Sequence, residues 1–179
     1  LRDYFWARVD YPSLTNPVKV LYTGDGRIDR DGRAVIATDG SYLYTFHVDV
    51  SNGGTSIPTL AKRDFDYNIL TQTTYPPSKA LGSIYVIDGR LYLHTDMSAL
   101  LIEEIDKDTL AAISSCPVAF SDSSTSDGVY IYLTYSGRRI AIFDPISNSI
   151  IGTTPDVVTP EQNGLITTHR SIMYSIGVQ

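Results

Sequence analysis

The chain has 179 residues, enough for one domain with a real core and two at the outside. A net charge of −6 and a pI near 4.9 exclude a general nucleic-acid binder and a polybasic membrane-surface protein, both of which need a basic face. No apolar run approaches the roughly 20 residues of a membrane span, and a hydrophobic fraction of 42% excludes a disordered chain.

The acids are 17 Asp against 3 Glu, and the bases 10 Arg against 4 Lys. Glu and Lys favour helices, Asp and Gly favour turns, and the 13 Tyr suit strands, so the composition predicts an all-β fold. Cys116 is alone, which rules out an internal disulfide, and no Asn-x-Ser/Thr sequon occurs. Both features point to a reducing, cytoplasmic setting. The chain starts at Leu1 without a leader, which suggests part of a longer polypeptide.

Residues 4–23 read as an outer strand pair around Val9-Asp10. Gly24 to Gly32 places three Asp among glycines, but no closing Glu follows and Arg27, Arg30 and Arg33 would repel a cation. A solvated loop is the expected outcome. A first four-stranded unit is predicted over about 34–75. It holds Asp39-Gly40 between two alternating runs, a signal for a tight primed hairpin turn, and then Phe65-Asp66 at the head of a second turn. A second unit, about 83–115, repeats the order with Asp88-Gly89 and Ile105-Asp106. A third, about 118–154, repeats it with Asp127-Gly128 and Phe143-Asp144. Residues 164–178 read as an inner strand pair.

The Asp10, Asp66, Asp106 and Asp144 series is spaced 56, 40 and 38 residues. Two hairpins every forty residues or so is the sequence signature of a β-propeller blade. The two terminal half-blades either sum to the fourth blade of a closed ring or belong to a slice of a larger one. Closure would remove exposed strand edges.

Candidate sites are few. His47 and His94 end apolar second strands and, placed on one face, would line a channel mouth. No short His spacing supports a metal there, so ordinary hydrogen-bonded histidines are expected. Glu103 and Glu104 are adjacent on a strand and point to opposite faces, so they cannot flank one bond together. There is no Gly-x-Ser-x-Gly elbow, and Cys116 reads as a small buried hydrophobe. Most Tyr should pack between blades. Trp6, Tyr67 and Tyr75 are the candidates for an exposed aromatic binding surface, and Arg138-Arg139 for contact with an acidic partner.

The phrases Thr38-Asp-Gly-Ser-Tyr-Leu-Tyr44 and Phe143-Asp-Pro-Ile-Ser-Asn148 resemble divergent kelch-like and WD-repeat-like propeller blades, of the kind found in very large scaffold and ubiquitin-ligase proteins. The likeness spans nearly the whole chain. It departs from kelch in having only one Gly doublet, Gly53-Gly54, and from WD repeats in lacking Trp-Asp and Gly-His. The resemblance implies a binding role. The expectation is a non-catalytic scaffold or protein-interaction module within a larger protein. Its partner would be another protein or the rest of a larger chain, with no nucleic acid, membrane or cofactor. A carbohydrate-binding or glycan-processing propeller and a metal-stabilised four-bladed ring are the alternatives.

Overall fold

Short alternating runs bounded by Asp, Gly and Asn fold as strands. The computed structural model describes residues 5–10, 15–21, 27–28, 34–50, 56–76, 81–95, 101–118, 124–135, 139–154, 164–169 and 172–177, all of them strand, turn or irregular segments. β1 (Phe5–Asp10) and β2 (Thr15–Leu21) form an antiparallel hairpin. β3 (Arg27–Ile28) and β4 (Ala34–Thr38) pair with the two ends of β5 (Leu43–Val50), which continues into β6 (Ser56–Arg63) and β7 (Ile69–Thr74). A second sheet holds β8 (Leu81–Ile87), β9 (Arg90–Thr95), β10 (Leu101–Ile105) and β11 (Ala112–Pro117). A third holds β12 (Ser124–Ser126), β13 (Ile131–Tyr135), β14 (Arg139–Asp144) and β15 (Ser149–Thr153). β16 (Gly164–His169) and β17 (Ile172–Gly177) form a last hairpin.

Each four-stranded sheet is an antiparallel meander in chain order. Successive sheets stack face to face. Tyr44, Phe46 and Leu60 of the first meet Ile84, Leu91, Leu93, Ile105 and Leu110 of the second in one core. Tyr92, Ile102, Cys116 and Val118 of the second meet Ile131, Leu133, Ala141 and Phe143 of the third in another. The pleat sends alternate residues of β9 to opposite neighbours, Leu91 and Leu93 one way and Tyr92 the other. An edge-to-face ring pair bridges the second and third sheets, Tyr92 with Phe143 at 6.1 Å, and another lies within the first, Phe46 with Tyr75 at 5.8 Å. The first strands are neighbours in turn: β4 lies against β8, β8 against β12, and β12 against β16. This is a propeller-like, all-β stack.

The turns differ from the expectation in two ways. Asp88 (φ 48°) and Gly89 (φ 70°) do form a two-residue turn with both residues left-handed, between the partners Ile87 and Arg90. At Asp39-Gly40 and Asp127-Gly128 the loop has four residues, since Thr38 pairs with Leu43 and Ser126 with Ile131, and of the Asp-Gly pair only the glycine has positive φ. The longer loop forms because the Asp side chain folds back on it and satisfies its N–H groups.

The second turns are capped by Asp106 and Asp144 as anticipated, but in the first sheet the capping residue is Asp64 and not Asp66. Asp64 Oδ1 accepts from the N–H groups of Asp66 and Asn68, and its Oδ2 accepts from the Asn68 side-chain amide. The register slips just before each of these turns, between Lys62 and Arg63, Glu104 and Ile105, and Ile142 and Phe143. β1 shows a similar slip between Arg8 and Asp10, and Asp10 pairs with Thr15. In β16–β17, His169 pairs with Ile172.

The two histidines do not share a face. His47 points away from the second sheet, on the side of β5 opposite Tyr44 and Phe46, whereas His94 points from the second sheet toward the third. Counting from Tyr44 and its counterpart Tyr92, His47 is three positions on and His94 two, which reverses the pleat. Glu103 and Glu104 lie on opposite faces as expected, both buried.

Candidate interaction surface

In a four-stranded antiparallel meander the first and third connections emerge at the same end. That end of the stack therefore collects the Asp39, Asp88 and Asp127 turns together with the Asp64, Asp106 and Asp144 turns. The first and third sheets build their inner turn identically. The Gly40 N–H donates to Thr38 Oγ1 at 3.0 Å, Thr38 Oγ1 donates to the Tyr42 carbonyl, Asp39 Oδ1 accepts from Ser41 and Tyr42 N–H, and the Tyr44 hydroxyl donates to Asp39 Oδ2. Ser126, Asp127, Gly128, Val129, Tyr130 and Tyr132 repeat every one of these bonds.

The electrostatics follow from this bonding. Burial alone would raise the Asp39 carboxyl, but the Lys107 ammonium, the Ser41 and Tyr42 N–H groups and the Tyr44 hydroxyl outweigh it and hold the carboxyl well below the usual range. Asp127 is lowered in the same way, against its burial, by Tyr130, Tyr132 and Val129. Burial, then the Asp127 carboxylate, pushes Tyr132 up to about 12. Asp106 is lowered chiefly by the Thr109 N–H and hydroxyl, and Asp144 by the Ser147 hydroxyl.

Polar clasps join the sheets at this end. Lys107 Nζ reaches back to Asp39 Oδ2 at 3.0 Å. Lys62 Nζ reaches forward to Asp108 Oδ1 at 2.8 Å and stands 4.2 Å over the Tyr42 ring. Within the second sheet Arg90 grips Glu104 with Nε at 2.8 Å and with Nη2, and it reaches the third by donating through Nη1 to the Pro145 carbonyl at 3.0 Å. Tyr92 OH also donates to Pro145. Nearer the inner strands, Tyr85 OH donates to Ser124 Oγ at 2.7 Å, and Ser124 Oγ lies 3.0 Å from His94 Nδ1. His94 is 1% exposed, and burial pushes it down to about 4.

Solvent meets apolar groups among these turns. Tyr42, Phe65, Val129 and Ile146 are exposed, Ile146 at 83%. The arrangement can present a rigid acidic and apolar relief to a partner. Of the anticipated aromatic set, Tyr75 is turned inward against Phe46 and packs on the first core. Its desolvation, with the Glu103 charge, raises its hydroxyl. Tyr67 is half-buried at φ 67° and accepts the Arg63 Nη1 bond on its carbonyl. Tyr67 and Tyr75 flank the two ends of β7, about 20 Å apart at the usual rise per residue, so they form no common patch. Arg139 is exposed at the start of β14 in the third sheet, with Tyr135 opposite. The Trp6 side chain and Arg138 lie outside the described residues, as does most of the 24–32 loop.

Sequence reasoning missed Asp64, the Lys62 and Lys107 clasps, and the Tyr85–Ser124–His94 chain. The first left no distinguishing signal, since Asp66 and Asp64 stand 40 and 42 residues before Asp106. The others are contacts between sheets and leave no local trace. Among the described residues no group of three or more His, Cys, Asp or Glu could hold a metal ion. No helix there is long and apolar enough to cross a membrane.

No protein-family model matches the chain. No characterised protein matches its sequence significantly. Among solved structures it is similar to a protein of unknown function from Bacteroides caccae, with TM-score 0.52, 12% identity, and coverage of 86% of this chain and 63% of that one. It is also similar to BamB from Moraxella catarrhalis, with TM-score 0.46, 12% identity, and coverage of 79% and 56%. The chain thus spans less than two thirds of the length of either. The Bacteroides likeness is one of fold.

Proposed function

We propose that this chain is part of a β-propeller that serves as a non-catalytic protein-interaction module within a larger protein, and that it docks its partner on the turn-bearing end. One observation carries the reading: exposed Tyr42, Val129 and Ile146 stand among aspartate-capped turns at a single end of the stack. Apolar anchors ringed by carboxylates suit a partner that offers apolar and basic side chains. The turns are pre-set by their own aspartates, so docking orders little backbone. The kelch-like phrases at Thr38–Tyr44 and Phe143–Asn148 support a home in a large scaffold or ubiquitin-ligase protein.

The experiment is affinity capture with the wild type and with the Val129→Asp/Ile146→Asp double variant. Both side chains are exposed, so thermal melting should not move. Loss of the same captured protein from the variant is the expected result, with capture by the wild type weakening as salt rises. Equal capture by both proteins would remove this end as the docking surface. Turnover of a substrate by the purified module would overturn the non-catalytic reading.

A further inference from the structure

The two matching turns of the first and third sheets differ in one respect. Asp39 Oδ2 takes the Lys107 ammonium of the next sheet besides the Tyr44 hydroxyl. Asp127 Oδ2 takes the Tyr132 hydroxyl at 2.7 Å and, among the described residues, no cation. Tyr44 is fully buried beneath the second sheet, whereas Tyr132 is half-buried. Tyr132 shares its face of the third sheet with Ile140 and the half-buried Ile142, an apolar surface of the same make as the one Tyr44 and Phe46 give to the second sheet. The inner margin of that face is already occupied, since β16 lies against β12.

The place of the docking residue is fixed by the two observed interfaces. Lys107 directly follows the turn-capping Asp106, and Pro145 directly follows the turn-capping Asp144. Each lands on the inner turn of the sheet before it. Its chemistry is set by what that turn presents. The Asp39 turn presents a carboxylate and receives an ammonium. The shorter Asp88 turn presents the Arg90 guanidinium and receives a carbonyl.

We propose that Asp127 and Tyr132 form the receptor for a lysine ammonium on the outer hairpin of a further blade, carried directly after that hairpin's turn-capping aspartate. This rests on the propeller reading above. The β1–β2 hairpin does not supply this lysine, because the residue after Asp10 is Tyr11.

Carbodiimide coupling of the intact protein, followed by peptide mass spectrometry, tests this. The reagent joins a carboxylate to a touching amine as an isopeptide and itself takes up the water. Asp39–Lys107 and Lys62–Asp108 links serve as internal standards. The expected result is a further link from Asp127 to a lysine that follows a turn aspartate, lost in Asp127→Asn while both standards persist. If the standards form and Asp127 couples to no lysine, or couples to Lys19 in the middle of β2, the proposal fails and the stacking stands. If the standards themselves are absent, the stacked-sheet reading fails and the proposal falls with it.

Discussion

Gly82 sits where the register of β8 slips against β9. A Cβ there would lie 2.1 Å from the His94 carbonyl oxygen and 2.7 Å from its carbon, and backbone cannot yield as a flexible side chain does. Gly82→Ala should therefore destabilise by about 1–3 kcal/mol or more, read as a lower denaturant midpoint. His94 supplies a pH dependence. Its folded value of about 4 lies below the unfolded value of 6.5, so the unfolded chain takes the proton first. The stability is complete above pH 6.5 and is lost as pH falls toward 4, by about 1.4 kcal/mol per unit and about 3 kcal/mol in all. His94→Gln should flatten the stability profile between pH 6.5 and 5, before most carboxylates titrate. An unchanged slope would remove His94 as the cause. Local phrases could locate the turn aspartates, yet Phe65-Asp66 resembles Phe143-Asp144 closely enough to mask Asp64 as the cap. The Asn68 amide, which adds a bond to Asp64, decides between them. Nothing near His94 in the chain announces Ser124, thirty residues on.

Among elements, each outer hairpin carries a strained residue. Tyr67, Leu110 and Asn148 close the three turns with φ of 67°, 58° and 50°, a region that costs non-glycine residues about 1–2 kcal/mol. Leu110 offsets this by filling the first core at 1% exposure. Leu110→Ala keeps the strain and empties the site, so it should cost about 2–4 kcal/mol. Leu110→Gly, freed of the backbone penalty, should cost less than its smaller side chain would suggest. Equal midpoints for the Ala and Gly variants would agree with that offset, and a much weaker Gly variant would contradict it. At the Asp144 turn, Asp144→Ala should lower the melting temperature. Asp144→Asn, which keeps an acceptor for the Ile146 N–H but turns an amide NH2 toward the Ser147 N–H, should lower it less. The strands and their meander order were legible because period-two patterning and turn residues are local signals. The loop lengths at Asp39 and Asp127 were not, since they depend on a side chain bonding back to the backbone.

For the molecule as a whole, two charged contacts differ in how far stability depends on them. Glu104 is buried and held by Arg90, so Arg90→Ala leaves an uncompensated carboxylate and should cost about 2–4 kcal/mol. Lys62 meets an Asp108 side chain that is 88% exposed, and water replaces it readily. Lys62→Met should cost under about 1 kcal/mol. Urea titrations of the two variants check the ranking, and a reversal would show that the Glu104 carboxylate does not depend on Arg90. The repeat itself was readable from the spacing of aspartates. The direction of docking was not, because it is written in contacts between residues some fifty positions or more apart.

That direction gives the repeats an order. Lys107 hands a positive pole to the sheet before it, and Pro145 hands over a negative one. Excising the second sheet would set the Pro145 carbonyl against the Asp39 carboxylate, like pole to like. The units are therefore keyed cassettes, and a recombination event that shuffled them would meet an electrostatic mismatch before it met a steric one.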